Sequence, residues 1–247
     1  MSLNEREDMP DSTIAERLAD IRGRIAAACD GAGREPEEIN LVAVSKKQPP
    51  EVVIEAAECG VSIFGENRVR EMDQKVGLCP EGLTWHFVGH LQGNKARRAV
   101  EVFHAIHSID SLGLLERVNA VAVEAGRTIP VFLQVSVSGE ASKFGLAPDA
   151  VSPVLEAAVN LMNVDVVGLM TMPPHTPEPG GAAPYFEALR NLRDDLRVAT
   201  GFPLDGLSMG MSHDFDVAIE EGATMILSLI HISEPTRRYA ISYAVFC

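Results

Sequence analysis

The sequence lacks the features that would send it across a membrane or outside a reducing compartment. Its four cysteines, Cys29, Cys59, Cys79 and Cys247, show no paired spacing, so neither a disulfide framework nor a zinc site is expected. No run approaches the ~20 apolar residues of a membrane span, and residues 1–9 are polar, without the apolar core of a signal peptide. Basic side chains are scarce. Against 35 Asp and Glu stand 21 Lys and Arg, a formal net charge of -14, which argues against a nucleic-acid or anionic-membrane surface. There is no early G-x-G-x-x-G, no H-E-x-x-H, no internal repeat and no low-complexity tract. These absences leave a soluble, cytoplasmic protein with reduced thiols, in which a small anion would need a local site.

What is present is alternation. At 247 residues the chain is long enough for one large α/β barrel or two small domains. After a polar segment, 1–10, Asp11-Ser12-Thr13 can cap a helix with Ile14, Leu18, Ile21 and Ile25 at helical spacing, a lid or floor before the first strand. Strands are then predicted at 41–44, 61–64, 85–88, 105–109, 129–137, 164–169, 204–209 and a last segment ending at Ile226, with a helix after each of the first seven. Eight such units predict a single closed (β/α)8 TIM barrel over 11–226 rather than an open doubly wound sheet.

Chemistry is expected where strands end. Leu41-Val42-Ala43-Val44 delivers Ser45, Lys46 and Lys47 to the C-terminal rim. Burial disfavours an ammonium, and a neutral amine attacks an aldehyde, so Lys46 is a candidate Schiff-base lysine; the alternative is a solvated rim charge. Gly65 is read as a tight turn closing the second strand. Asn67 either donates to a ligand or caps the next helix, and His86 and His90 line a pocket or stack on a ring. No third ligand is spaced to make them a metal site. His104 and His107 are read as packing residues, Ser142-Lys143 as a polar rim loop, and Met170 as either core or the wall of a ring site. In Leu207-Ser208-Met209-Gly210-Met211-Ser212, hydroxyls flank a glycine where a helix is expected to start. That suits a phosphate, or only a cap at Ser212. A Schiff-base lysine and a phosphate cradle together describe a pyridoxal phosphate site.

The ordered motifs Val44-Ser45-Lys46, Phe64-Gly65-Glu66-Asn67, Trp85-His86-Phe87-Val88-Gly89-His90-Leu91-Gln92, Ser142-Lys143, Gly168-Leu169-Met170 and Leu207 to Ser212 resemble the pyridoxal phosphate homeostasis protein family from about residue 11 to 226. The resemblance implies a barrel like the N-terminal domain of alanine racemase, holding pyridoxal 5'-phosphate as a Schiff base on Lys46. It implies a role in vitamin B6 and amino-acid homeostasis without established turnover, with apo-enzymes as possible recipients. The expected binding set is Lys46, Asn67, His86, Met170, Ser208, Gly210, Met211 and Ser212, with no catalytic residue and no metal. After Ile226 the family continues Arg-Ile-Gly-Thr, whereas here Leu227-Ser228-Leu229-Ile230 follows. Residues 227–247 are accordingly expected to be a non-family tail, and part of the cofactor anchor to be missing, although Leu227 to Ile230 can still serve as the eighth strand and keep the fold. The rival reading is an amino-acid racemase. It lacks the second domain that supplies the opposing tyrosine, which also predicts a monomer.

Overall fold

A computed structural model describes residues 12–139, 144–174, 176, 178 and 180–229. Helix α1 (Ile14–Ala32) starts at Thr13, whose side chain accepts from the Glu16 amide while Glu16 accepts from the Thr13 amide. It ends at Gly33, where φ is 65°. It packs along α8 (Phe215–Glu220) and touches α2 (Pro50–Glu58), so it belongs to the outer helix layer. Eight parallel strands follow: β1 (Asn40–Val44), β2 (Ile63–Glu66), β3 (Thr84–Phe87), β4 (Ala105–Ile109), β5 (Ile129–Gln134), β6 (Val164–Met170), β7 (Gly206–Met211) and β8 (Met225–Leu229). Between them lie α2, α3 (Val69–Lys75), α4 (Ala96–Val102), α5 (Leu112–Glu124), α6 (Val151–Ala158), α7 (Ala183–Thr200) and α8. Strand order is sequential and β8 pairs with β1, closing the barrel.

Strand alternation divides the apolar side chains between two layers. Ala43, Phe64, Phe87, Ile106, Leu133, Leu169 and Ile226 join the layer between barrel and helices. Val42, Val44, Val88, Phe132, Met170 and Leu227 fill the barrel itself. Gly65 departs from expectation: it lies inside β2 and makes no turn. A Cβ there would sit 3.0 Å from Val42 Cγ1 and 3.3 Å from Val44 Cγ2, so glycine relieves crowding against β1.

Closure extends past Ile226. Leu227, Ser228 and Leu229 pair with Val42, Ala43 and Val44, and Leu227 is buried among the interior side chains. These three residues, outside the expected barrel boundary, complete the eighth strand because their alternation of apolar and hydroxyl side chains fits the pleat. Residues 230–247 lie outside the described residues.

Candidate functional site

The end of β1 sorts its side chains by alternation. Ser45 turns outward: its Oγ donates to Glu66 Oε1 at 2.6 Å, and its carbonyl accepts from Lys75 Nζ at 2.7 Å. Lys75 also donates to Glu66 Oε1, forming an ion pair buried between barrel and α3. Burial pushes the Glu66 carboxyl up while Lys75 pulls it back. Lys46, next in the chain, continues the parity of Val42 and Val44, which face the interior layer. It is 8 % exposed. Burial first, and the neighbouring Lys47 ammonium second, push its pKa down to about 8, with Glu71 acting the other way. The following Lys47 has φ 60°, and its amide donates to Glu71 Oε2 at 2.8 Å, which fixes the turn after Lys46.

The other expected residues occupy several levels of the barrel. Asn67 follows β2 directly and is half-buried; Gly89 makes room for it, since a Cβ there would lie 2.4 Å from the Asn67 carbonyl oxygen. Met170 ends β6, fully buried in the interior layer, and Met211 ends β7 against the same layer. One level deeper, His86 Nδ1 lies 2.9 Å from His107 Nε2, and His107 Nδ1 lies 2.8 Å from Ser208 Oγ. Burial, with His104 adding to it, pushes His86 down to about 4, and burial puts His107 well below the ordinary range. Both rings are therefore neutral. His90 does not join them; it stacks on Phe144 at 3.7 Å.

The turn after β7 differs from its expected form. The helix begins at Phe215, after Asp214, so Ser212 is not its cap. Ser212 Oγ instead lies 3.2 Å from Ser228 Oγ and accepts from the Leu229 amide at 3.1 Å. Asp214 takes the Met211 amide at 2.6 Å. Gly210, with φ 93°, brings the strand end against α8: a Cβ would sit 2.6 Å from Ala218 Cβ. Arg24 of α1 holds this turn from outside through the Ser212 carbonyl at 3.0 Å, an ion pair to Asp216 and the Phe215 ring 4.0 Å beneath it. Ser142 and Lys143 lie outside the described residues.

His107 was read as packing, and it is the centre of the interior polar line. Its parity within the strand 105–109, two residues from Ala105 and not beside it, is the signal that would have set it apart. His104, read the same way, does have a structural role: its Nδ1 accepts from the Trp85 amide at 3.0 Å. Glu66 enters the sequence reading only as a motif member without a role, and nothing there points to Lys75. A cleft of about 420 Å³ lined by Arg22, Pro36, Asn40, Gly60 and Ile63 opens where β1 and β2 begin. It is at the opposite end from Lys46, and barrels of this kind place their chemistry where strands end.

An eight-stranded barrel with a buried lysine after β1 and a hydroxyl-rich turn after β7 defines a class, barrels of the alanine racemase N-terminal type. The model of that family, "Alanine racemase, N-terminal domain", matches residues 22–226. Alanine racemase of Clostridium difficile 630 shares the fold at TM-score 0.69 and 14% identity, over 90% of this chain and 58% of that one. The pyridoxal phosphate homeostasis protein of Aquifex aeolicus is 42% identical over 212 residues, 85% of this chain and 93% of its own. PipY of Synechococcus elongatus PCC7942, solved with PLP bound, is 37% identical at TM-score 0.77, over 87% of this chain and 97% of that one. The chain belongs to the pyridoxal phosphate homeostasis protein family.

Proposed function

We propose that this chain binds pyridoxal 5'-phosphate and acts in vitamin B6 and amino-acid homeostasis as a carrier or regulator, without turnover of its own. The observation that carries this reading is Lys46, an amine at the strand-end mouth of the barrel whose pKa burial lowers to about 8. The donor set fits the cofactor: a neutral-prone amine for its aldehyde, thioether and apolar walls for its ring, and hydroxyls and amides for its phosphate. Lys46 would supply the amine that holds the cofactor through its aldehyde carbon. Met170, His86 and Asn67 would hold the ring, and Gly210, Met211 and Ser212 the phosphate, with Ser208 fully buried and engaged by His107. When bound, the cofactor supplies an electron-withdrawing ring and a phosphate handle.

A racemase would need a second proton donor facing Lys46. Tyr185 is the one tyrosine among the described residues, and it lies on α7 in the outer helix layer. Carrier function, cytoplasmic location, a monomeric state and delivery to apo-enzymes follow from the same reading. The non-family tail has a chemical cost. Leu227, where the family resemblance expects arginine, presents an apolar side chain to the interior layer, and Leu229 stands where glycine is expected. Each charge-assisted hydrogen bond lost with the missing motif weakens retention by roughly 1.5–3 kcal/mol.

The test is to incubate the purified chain with pyridoxal phosphate, desalt it, reduce with borohydride and map the adduct by mass spectrometry. Retained visible absorbance and an adduct at Lys46, both absent in Lys46→Ala, are expected. A folded chain that retains nothing would overturn the reading. Deuterium exchange at the α-carbon of alanine should be absent, and sedimentation should report one chain.

A further inference from the structure

Three side chains cross the barrel interior in one hydrogen-bonded line, and counting their protons fixes its direction. His107, on β4 and wholly buried, reaches His86 through Nε2 at 2.9 Å and Ser208 through Nδ1 at 2.8 Å. Phe132 lies 4.4 Å from its ring centroid and holds it in place. A neutral imidazole carries one N–H and a hydroxyl one O–H, and each contact needs one proton. Burial keeps both rings neutral, so two arrangements satisfy both contacts.

In the first, Ser208 donates its O–H to His107 Nδ1, His107 donates Nε2–H to His86 Nδ1, and His86 carries its own proton on Nε2. In the second every bond reverses: His86 donates from Nδ1, His107 donates from Nδ1 to Ser208, and the Ser208 O–H must find another acceptor. Ser208 is 0 % exposed, and among the described residues His107 is the partner of its hydroxyl. The second arrangement therefore strands a sealed hydroxyl proton, which forfeits that group's hydration with nothing in exchange. The first satisfies Ser208 and both nitrogens of His107. Its loose end is His86 Nε2–H, on a side chain that keeps 5 % exposure.

We infer that His107 is a positioning residue which, with Ser208 as its donor, fixes His86 as the Nε2–H tautomer, a neutral hydrogen-bond donor for an acceptor atom of a planar heteroaromatic ligand. The ligand half of this inference rests on the pyridoxal phosphate reading; the tautomer half does not. The chemistry is specific. A neutral imidazole N–H donates a hydrogen bond without giving up its proton, so a ring acceptor held by it stays unprotonated and is a weaker electron sink. Such a donor suits holding a cofactor better than turning substrate over.

The experiment is multiple-bond ¹H–¹⁵N NMR on the full, histidine-labelled chain without ligand, for the parent, His107→Gln and His107→Phe. The parent should show Nε2–H on both His86 and His107. Glutamine offers one N–H and one acceptor in line, so His107→Gln should keep His86 as Nε2–H. Phenylalanine keeps a ring against Phe132 but supplies no donor, so His86 should become a tautomer mixture, and retention of pyridoxal phosphate should fall about tenfold relative to His107→Gln. His86 found as Nδ1–H in the parent, or unchanged in a folded His107→Phe chain, would overturn the assignment. Should His107→Phe not fold, the parent and His107→Gln spectra decide it. A parent that retains no pyridoxal phosphate would defeat the proposed function while leaving the tautomer readout intact.

Discussion

Lys46 and Lys75 are the two buried lysines among the described residues, 8 % and 3 % exposed, and the end of β1 separates them. Lys75, in the last turn of α3, is delivered together with a buried carboxylate: it donates to Glu66 Oε1 and to the Ser45 carbonyl. Lys46 is delivered to the other side, where the leading charge is a second ammonium, Lys47. Similar burial therefore has two results, a structural ion pair outside the barrel and an amine with lowered pKa at its mouth. Burial alone does not make a lysine reactive; what the neighbouring strand brings with it decides. The pleat makes the division cheap, since consecutive residues leaving β1 face opposite sides, so one step along the chain parts Ser45 from Lys46.

The comparison breaks most visibly if the charges are removed one at a time. Lys75→Met leaves Glu66 buried without its cation and should cost about 3–5 kcal/mol in denaturant unfolding. Lys46→Met should act in the opposite direction. The Lys46 pKa of about 8 lies below its ordinary 10.5, so the unfolded chain binds the additional proton between those values and parent stability rises with pH across that window. The variant's advantage, up to about 3 kcal/mol from that difference, is full below pH 8 and fades toward pH 10.5. Equal losses from both substitutions would erase the distinction between the two lysines. A pH series of borohydride trapping sharpens it further. The initial rate of Lys46 labelling by pyridoxal phosphate should rise about tenfold per pH unit below 8 and level off above it, while Lys75 stays unlabelled.

The division between faces was partly legible in the sequence. Eight apolar runs alternating with helical ones were enough for the barrel, and Leu41 to Val44 followed by Ser45-Lys46 was enough to mark the amine. The charged partner behind it was not, because Glu66 and Lys75 are nine residues apart across a strand, a turn and a helix, and nothing local marks them as facing each other. Gly65 was misread for a related reason: its lack of a side chain answers Val42 and Val44 on another strand, and sequence shows only that a glycine sits near a strand end. Ser212 was matched to a helix start that lies three residues further on, and the partners that engage it, Ser228 and Leu229, belong to a stretch that departs from the family pattern. The interior line through His107 depends on strand parity across three strands, which a pattern of short apolar runs does not resolve.

The smallest predicted effect lies across the seam between β7 and β8. Across the β7–β8 seam Ser212 Oγ meets the Ser228 hydroxyl and the Leu229 amide, and these are ordinary neutral hydrogen bonds. Ser212→Ala should cost about 0.5–1.5 kcal/mol in the ligand-free chain, well below the loss from Lys75→Met. If Ser212 turns from these partners to a phosphate, its removal should weaken pyridoxal phosphate retention by more than it weakens folding, because a hydrogen bond to an anion is worth roughly twice a neutral one. Equal losses in stability and retention would assign Ser212 to the seam that closes the barrel and take it out of the phosphate side. A larger loss in retention would give the two walls separate tasks, one supplying the amine and the other the anion contacts.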